Sequence, residues 1–235
     1  MTDASTMIFF DLDATLLDHE TAVRGGLANL REAFGPAIPW DQDQFFAHWE
    51  TVAEKYLPFS LTGKQLSFAD QRRMRIKEIF GADLSTEEAD RRFQIYLDGY
   101  STHWTLYPDA LPCLQALQDY RLGMITNGDG PQQRAKLATL GISGLFSTVI
   151  ISREVGFAKP DREIFELAAK AAGVALDRCM YVGDRLDTDA QAAARAGMKG
   201  VWLNRVDGRR GEGVSTIHGL KELLPLVLDM ARNAP

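Results

Sequence analysis

The chain has 235 residues, 46% of them hydrophobic and 25% charged, with a formal net charge of −6. That balance supplies material for a core and argues against nucleic-acid binding through bulk charge. No apolar run approaches the ~20 residues of a membrane-spanning helix, and the opening MTDAST has neither the charged nor the apolar stretch of a secretory signal. A cytoplasmic protein with no nucleic-acid and no membrane partner is expected. Cys113 and Cys179 sit among apolar neighbours without metal-ligand spacing, so both are expected to be buried, reduced thiols.

In chain order, residues 7–11 (MIFFD) form a short apolar run, a candidate buried strand. Residues 18–105 contain no comparable strand signal. Helical periodicity runs over 22–34, 41–56, 67–80 and 87–100, the last opened by Ser85 and Glu88 as a capping-box pair. Phe45, Trp49, Val52 and Tyr56 recur at helical spacing and read as core packing. The basic run Arg72, Arg73, Arg75, Lys77 reads as a solvated face, with attraction of a phosphorylated substrate as the sharper alternative.

From residue 108 onward, short apolar runs alternate with helices. The runs are RLGMIT (121–126), TVII (148–151), CMYV (179–182) and GVWL (200–203). The helical stretches are 108–120, 131–140, 163–172 and 188–196, and the last three stop at Gly141, Gly173 and Gly197. Such alternation means βαβ units. The predicted class is α/β: a Rossmann-like doubly wound parallel sheet formed by 1–17 and 106–235, with 18–105 as an inserted helical domain.

Ligands of an open parallel sheet gather at the carboxyl ends of its strands. The first run ends in Asp11-Leu12-Asp13-Ala14-Thr15 and the second in Thr126-Asn127-Gly128. Lys159-Pro160 follows the third, and Gly183-Asp184 closes the fourth, with Asp187 and Asp189 close behind. Neighbouring carboxylates repel unless a cation lies between them. Mg²⁺ binds a few carboxylates, keeps several waters and completes its shell with phosphate oxygens. A Mg²⁺ ion and a phosphorylated ligand are therefore expected at this edge, and Asp187 is read as a helix N-cap.

Four motifs in this order, DLDATLLD, ITNGDG, VGFAKPDREIF and YVGDRLDTDAQAAARAGM, resemble the haloacid dehalogenase superfamily of aspartate-nucleophile hydrolases. The resemblance covers 7–17 and about 106–204, and the helical insertion is similar to that family's C1-type cap. It implies that Asp11 is the nucleophile and Asp13 the general acid and base, with Thr15 orienting Asp13 and shaping the turn. Thr126 and Asn127, with Gly128 beside them, would bind the phosphoryl oxygens, and Lys159 would hold both that group and Asp11. Mg²⁺ would take Asp11, the Asp13 backbone carbonyl and Asp184, while Asp189 orients Lys159 or metal-bound water. Ala14 departs from the usual glycine, and a positive φ there would strain it.

The reaction the resemblance favours is Mg²⁺-dependent hydrolysis of a small phosphate ester, a nucleoside monophosphate among the candidates, by a monomer or homodimer. A 2-haloacid dehalogenase needs no acid for its halide, and Asp13 argues against it. A sugar phosphomutase would need cap residues for proton transfer, and a phosphonatase a Schiff-base lysine, for which Lys55 and Lys64 have nothing else to recommend them. A catalytically silent phosphate-binding protein is the reading outside enzymology.

Overall fold

The computed structural model describes residues 6–232. The chain divides into two compact units, Met1–Asp18 with Leu106–Pro235, and His19–Thr105.

Among the described residues the first unit is built on six strands: β1 (Met7–Phe10), β2 (Arg121–Thr126), β3 (Thr148–Ile151), β4 (Cys179–Gly183), β5 (Lys199–Leu203) and β6 (Ser215–Ile217). They pair in the order β3-β2-β1-β4-β5-β6, every neighbouring pair parallel. A parallel sheet covered on both faces needs near-continuous apolar strands, and every residue of β1 and β4 is buried. Phe10 lies opposite Met124 and Val182, which brings the carboxyl ends of the three central strands level. The helices of this unit are α5 (Ala110–Ala116), α6 (Gly130–Thr139), α7 (Ser152–Val155), α8 (Arg162–Ala172), α9 (Gln191–Ala196) and α10 (Leu223–Arg232). On one face, Ile164, Phe165 and Ala168 of α8 join Ala192, Ala193 and Ala196 of α9 against Phe9, Ile125 and Tyr181.

The second unit consists of α1 (His19–Phe34), α2 (Gln42–Ser60), α3 (Phe68–Phe80) and α4 (Thr86–Thr102). Local signals open three of them. Asp41 and Gln44 form a reciprocal capping box on α2, Ser67 caps α3, and Ser85 accepts the Glu88 N–H of α4. Glu88 turns its own side chain to Arg91 and Arg92, so the box predicted there is half formed. Phe45, Trp49 and Val52 are buried, as their spacing predicts, whereas Tyr56 is half-buried and its hydroxyl donates to Glu78.

Several expectations need revision. The basic run is not a uniformly solvated face. Arg73 pairs with Asp70 and Asp90, Arg72 lies over Phe68 and Phe93, and Arg75 lies 4.3 Å over Trp49. Guanidinium groups are weakly hydrated and stack on aromatic rings, which a solvated-face pattern does not anticipate. The stretch predicted as a helix over 188–196 begins instead with a π-turn, Leu186–Ala190, that runs into α9. Asp187 therefore lies inside that turn, accepting from the Thr188 N–H, and caps nothing. β6 and α10 had no counterpart in the sequence reading. Both cysteines are free and buried.

Candidate active site

The β1 run stops at Phe10, and Asp11 extends the ladder by one bond, its N–H donating to the Val182 carbonyl at 2.9 Å. Its carboxylate is thereby fixed at the sheet edge with only 6% of the residue exposed. The Lys159 ammonium donates three bonds of 2.7 Å, to Asp11 Oδ1, Asp189 Oδ1 and the Tyr181 hydroxyl. The Tyr181 O–H is turned to the Ile125 carbonyl at 2.9 Å, so its lone pair faces the lysine. Asp189 also accepts the Arg185 N–H at 3.0 Å through Oδ2. Its approach requires a glycine at 183, where a Cβ would come within 2.5 Å of the Asp189 carboxyl.

Asp184 completes the group. One oxygen each from Asp11, Asp184 and Asp189 lie within 4.8 Å of one another. The Lys159 ammonium is bonded to two of these three carboxylates, Asp11 and Asp189. Burial is the main reason the Asp11 carboxyl is pushed up to about 8; Lys159 opposes the rise, while Asp189 and Asp184 add to it. Burial and then Asp189 raise Asp184 to about 6. Burial also works against charge on Lys159, but Asp11 and Asp189 outweigh it and keep the ammonium above its ordinary pKa. The net deficit is of positive charge, and an all-oxygen donor set of this kind fits a hard divalent cation.

The turn after Asp11 faces a second set of groups. Ala14 adopts φ +59°, the left-handed conformation that its place in the motif put in question. Asp13 Oδ1 accepts from Lys136 at 2.6 Å and Oδ2 from Gln133 at 2.9 Å. Gln133 uses the same nitrogen on the Thr126 hydroxyl at 2.8 Å. The Thr15 hydroxyl stands 3.5 Å from Asp184 Oδ1 instead of on Asp13, and its carbonyl accepts from Arg205 at 3.1 Å. The Asn127 side chain is committed to the Lys159 backbone, donating to its carbonyl and accepting its N–H, both at 2.9 Å. It thus anchors the lysine with its oxygen and one of its two amide hydrogens. Gly128, at φ +157°, donates its N–H to Ser152 Oγ at 3.0 Å.

Sequence reading missed Gln133, Lys136, Tyr181 and the Arg205–Asp109 pair. The first two carried a faint signal. They lie three apart in the helix after ITNGDG, on a face that also holds buried Leu137. Tyr181 sits within an apolar strand and Arg205 beyond one, and neither position hints at its partner.

The chain is similar to known proteins in sequence and in fold. A family model described as haloacid dehalogenase-like hydrolase matches residues 6–197. A glyceraldehyde 3-phosphate phosphatase of Methanopyrus kandleri is 31% identical, over 96% of this chain and 98% of its own. An N-acylneuraminate-9-phosphatase of Rattus norvegicus is 28% identical, over 86% of this chain and 83% of its own. Among solved structures, the HAD-hydrolase YfnB of Bacillus subtilis bound to magnesium superposes with a TM-score of 0.81 at 22% identity, covering 95% of this chain and 99% of that one. At that identity the likeness speaks to the fold alone.

Proposed function

The chain belongs to the haloacid dehalogenase-like hydrolases, and from that premise we propose that it is a Mg²⁺-dependent phosphomonoesterase of small phosphorylated metabolites, working through an aspartyl phosphate on Asp11. The observation that carries the reading is the division between two carboxylates two residues apart. Asp11 is buried among Lys159, Asp184 and Asp189, whereas the Asp13 side chain is 26% exposed and has cationic and amide partners of its own. Carboxylates held in such different surroundings suit different tasks.

Asp11 is the nucleophile, attacking phosphorus through a carboxylate oxygen while Lys159 fixes the other. Asp13 gives a proton to the departing oxygen, then takes one from the water that cleaves the acyl phosphate. Thr126 donates to a phosphoryl oxygen, Lys159 balances charge there, and Asn127 and Gly128 shape the turn that presents them. Thr15, near Asp184, braces that carboxylate. Asp11, Asp184 and the Asp13 backbone carbonyl would hold Mg²⁺, with Asp189 orienting Lys159. When bound, the cation neutralises the carboxylates and the phosphoryl group. A haloacid dehalogenase would have no use for a proton on Asp13.

Steady-state assays of a panel of sugar phosphates and nucleoside monophosphates, with Mg²⁺ and with EDTA, test the activity. Turnover that requires the metal, and none with 2-chloropropionate, is the expected result. Asp13→Asn should release a burst of nitrophenol from p-nitrophenyl phosphate and then run slowly, with phosphate trapped on Asp11. Asp11→Asn should give neither burst nor adduct. Rapid quench and intact-protein mass spectrometry at low pH read both. Wild-type turnover in Asp13→Asn would remove its acid–base role.

A further inference from the structure

Lys136 and Gln133 are among the most buried polar residues of the molecule, at 2% and 1% exposure. They stand one turn apart on α6, and both end on the carboxylate of Asp13. An ammonium withdrawn from water is costly, and an apolar side chain of similar length would pack beside Leu137 without that cost. In the neighbouring cluster Lys159 serves Asp11 and Asp189. Each half of the site thus holds a buried ammonium.

Gln133 adds a second constraint. A carboxylate can only accept, so the amide must face Asp13 with its nitrogen. Its two hydrogens are then used on Asp13 Oδ2 and on Thr126 Oγ1. The Thr126 oxygen accepts from Gln133, and its own hydrogen has to point elsewhere. One amide therefore sets the position of the Asp13 carboxylate and the direction in which Thr126 donates.

We propose that Gln133 and Lys136 are positioning residues of the reaction: they fix the Asp13 carboxylate and couple it to the phosphoryl-binding hydroxyl of Thr126. This rests on the phosphatase reading above. The test is a set of double-mutant cycles, Lys136→Met and Gln133→Met, each alone and with Asp13→Asn. With an alkyl phosphate, each single change should lower kcat at least ~10-fold, part of the ~10²–10⁴ that acid–base catalysis supplies. The loss should be smaller with p-nitrophenyl phosphate, whose leaving group needs no proton. In the Asp13→Asn background Lys136→Met should alter kcat by less than about two-fold, since it acts through Asp13, and Gln133→Met should keep only the smaller loss it exerts through Thr126. Gln133→Met should also weaken inhibition by inorganic phosphate, through Thr126. Equal losses in both backgrounds would make the pair scaffolding and overturn the inference. Should Lys136→Met fail to fold, the Gln133→Met cycle decides, because it removes no charge. Wild-type protein inert on every ester would overturn the phosphatase reading and this inference with it. An active wild type with additive losses would overturn this inference alone.

Discussion

Ala14 sits at φ +59°, where its Cβ crowds the next carbonyl, a cost of about 1–2 kcal/mol that glycine escapes. The turn tolerates it because the Ala14 N–H donates to the Leu17 carbonyl at 3.0 Å, while the Leu16 and Leu17 N–H groups converge on the Leu12 carbonyl. Ala14→Gly should therefore raise the unfolding free energy by about 0.5–1 kcal/mol, the gain being trimmed by glycine's freedom in the unfolded chain. Urea denaturation measures it, and an unchanged midpoint would mean the turn stores no strain. The two acids of the last motif should separate by a different measurement. Asp189 is 1% exposed and bound through both oxygens, to Lys159 and to the Arg185 N–H. Asp189→Asn should cost about 3 kcal/mol by uncoupling a buried ion pair. Asp184→Asn should stabilise the metal-free fold near neutral pH, since it removes a carboxylate whose charge burial disfavours, and abolish the Mg²⁺ signal in calorimetry. If Asp189→Asn were the milder change to fold, the buried pair would not be structural.

The segment that delivers Asp189 depends on how closely it lies on the sheet. The π-turn Leu186–Ala190 rests over β5, and a Cβ at Gly200 would stand 2.0 Å from the Ala190 carbonyl oxygen. That oxygen is backbone and cannot swing aside, so the turn itself would have to lift. Gly200→Ala should therefore destabilise by about 3 kcal/mol, at the upper end of overpacking costs. Gly144 provides the control, since a Cβ there meets nothing within 4 Å. Thermal denaturation of the two variants should differ widely, and similar midpoints would show that the turn yields easily. Elsewhere in this unit, Arg205 braces the chain just past Asp13. It makes a bidentate pair with Asp109 at 2.9 and 3.0 Å, bonds the Thr15 carbonyl and lies 4.1 Å over the Tyr107 ring. Asp109 accepts the Leu220 N–H as well, so one ion pair ties four separate stretches of the chain.

For the whole molecule, the carboxylate group links folding to pH and to metal. An aspartate titrates near 3.8 in the unfolded chain, whereas Asp184 and Asp11 are raised to about 6 and about 8 in the fold. Between these values the metal-free folded protein binds more protons than the unfolded one. Its stability should therefore fall as pH rises from about 4 to about 8, and stay at the lower level above that. Below about 4 both states are protonated and these groups contribute nothing. Mg²⁺ would compete with the same protons and stabilise the fold by mass action. The rise in Tm on adding Mg²⁺ should thus be small at pH 5.5 and larger at pH 8.5, as read by calorimetric scans against EDTA. Equal rises at both pH values would remove the carboxylates from the metal site.

The α/β class and the parallel sheet are legible in the sequence because each of the first five strands is a short apolar run and helical stretches that stop at glycine lie between them. The same grammar puts Asp11, Thr126 and Asp184 at strand ends, since a buried strand changes character only where it leaves the core. β6 escapes that reading. At three residues, Ser215–Ile217, it is too short to show a period and is a strand only because β5 offers it an edge. What the tertiary structure alone decides is partnership. Lys159 is 148 residues from Asp11, and Lys136 is 123 from Asp13. Thr15 reaches toward Asp184, and Asn127 holds the Lys159 backbone, where the family resemblance implied other partners. A buried hydrogen bond goes to whichever acceptor the packing of the sheet brings within 3 Å, and spacing along one segment carries no record of the others.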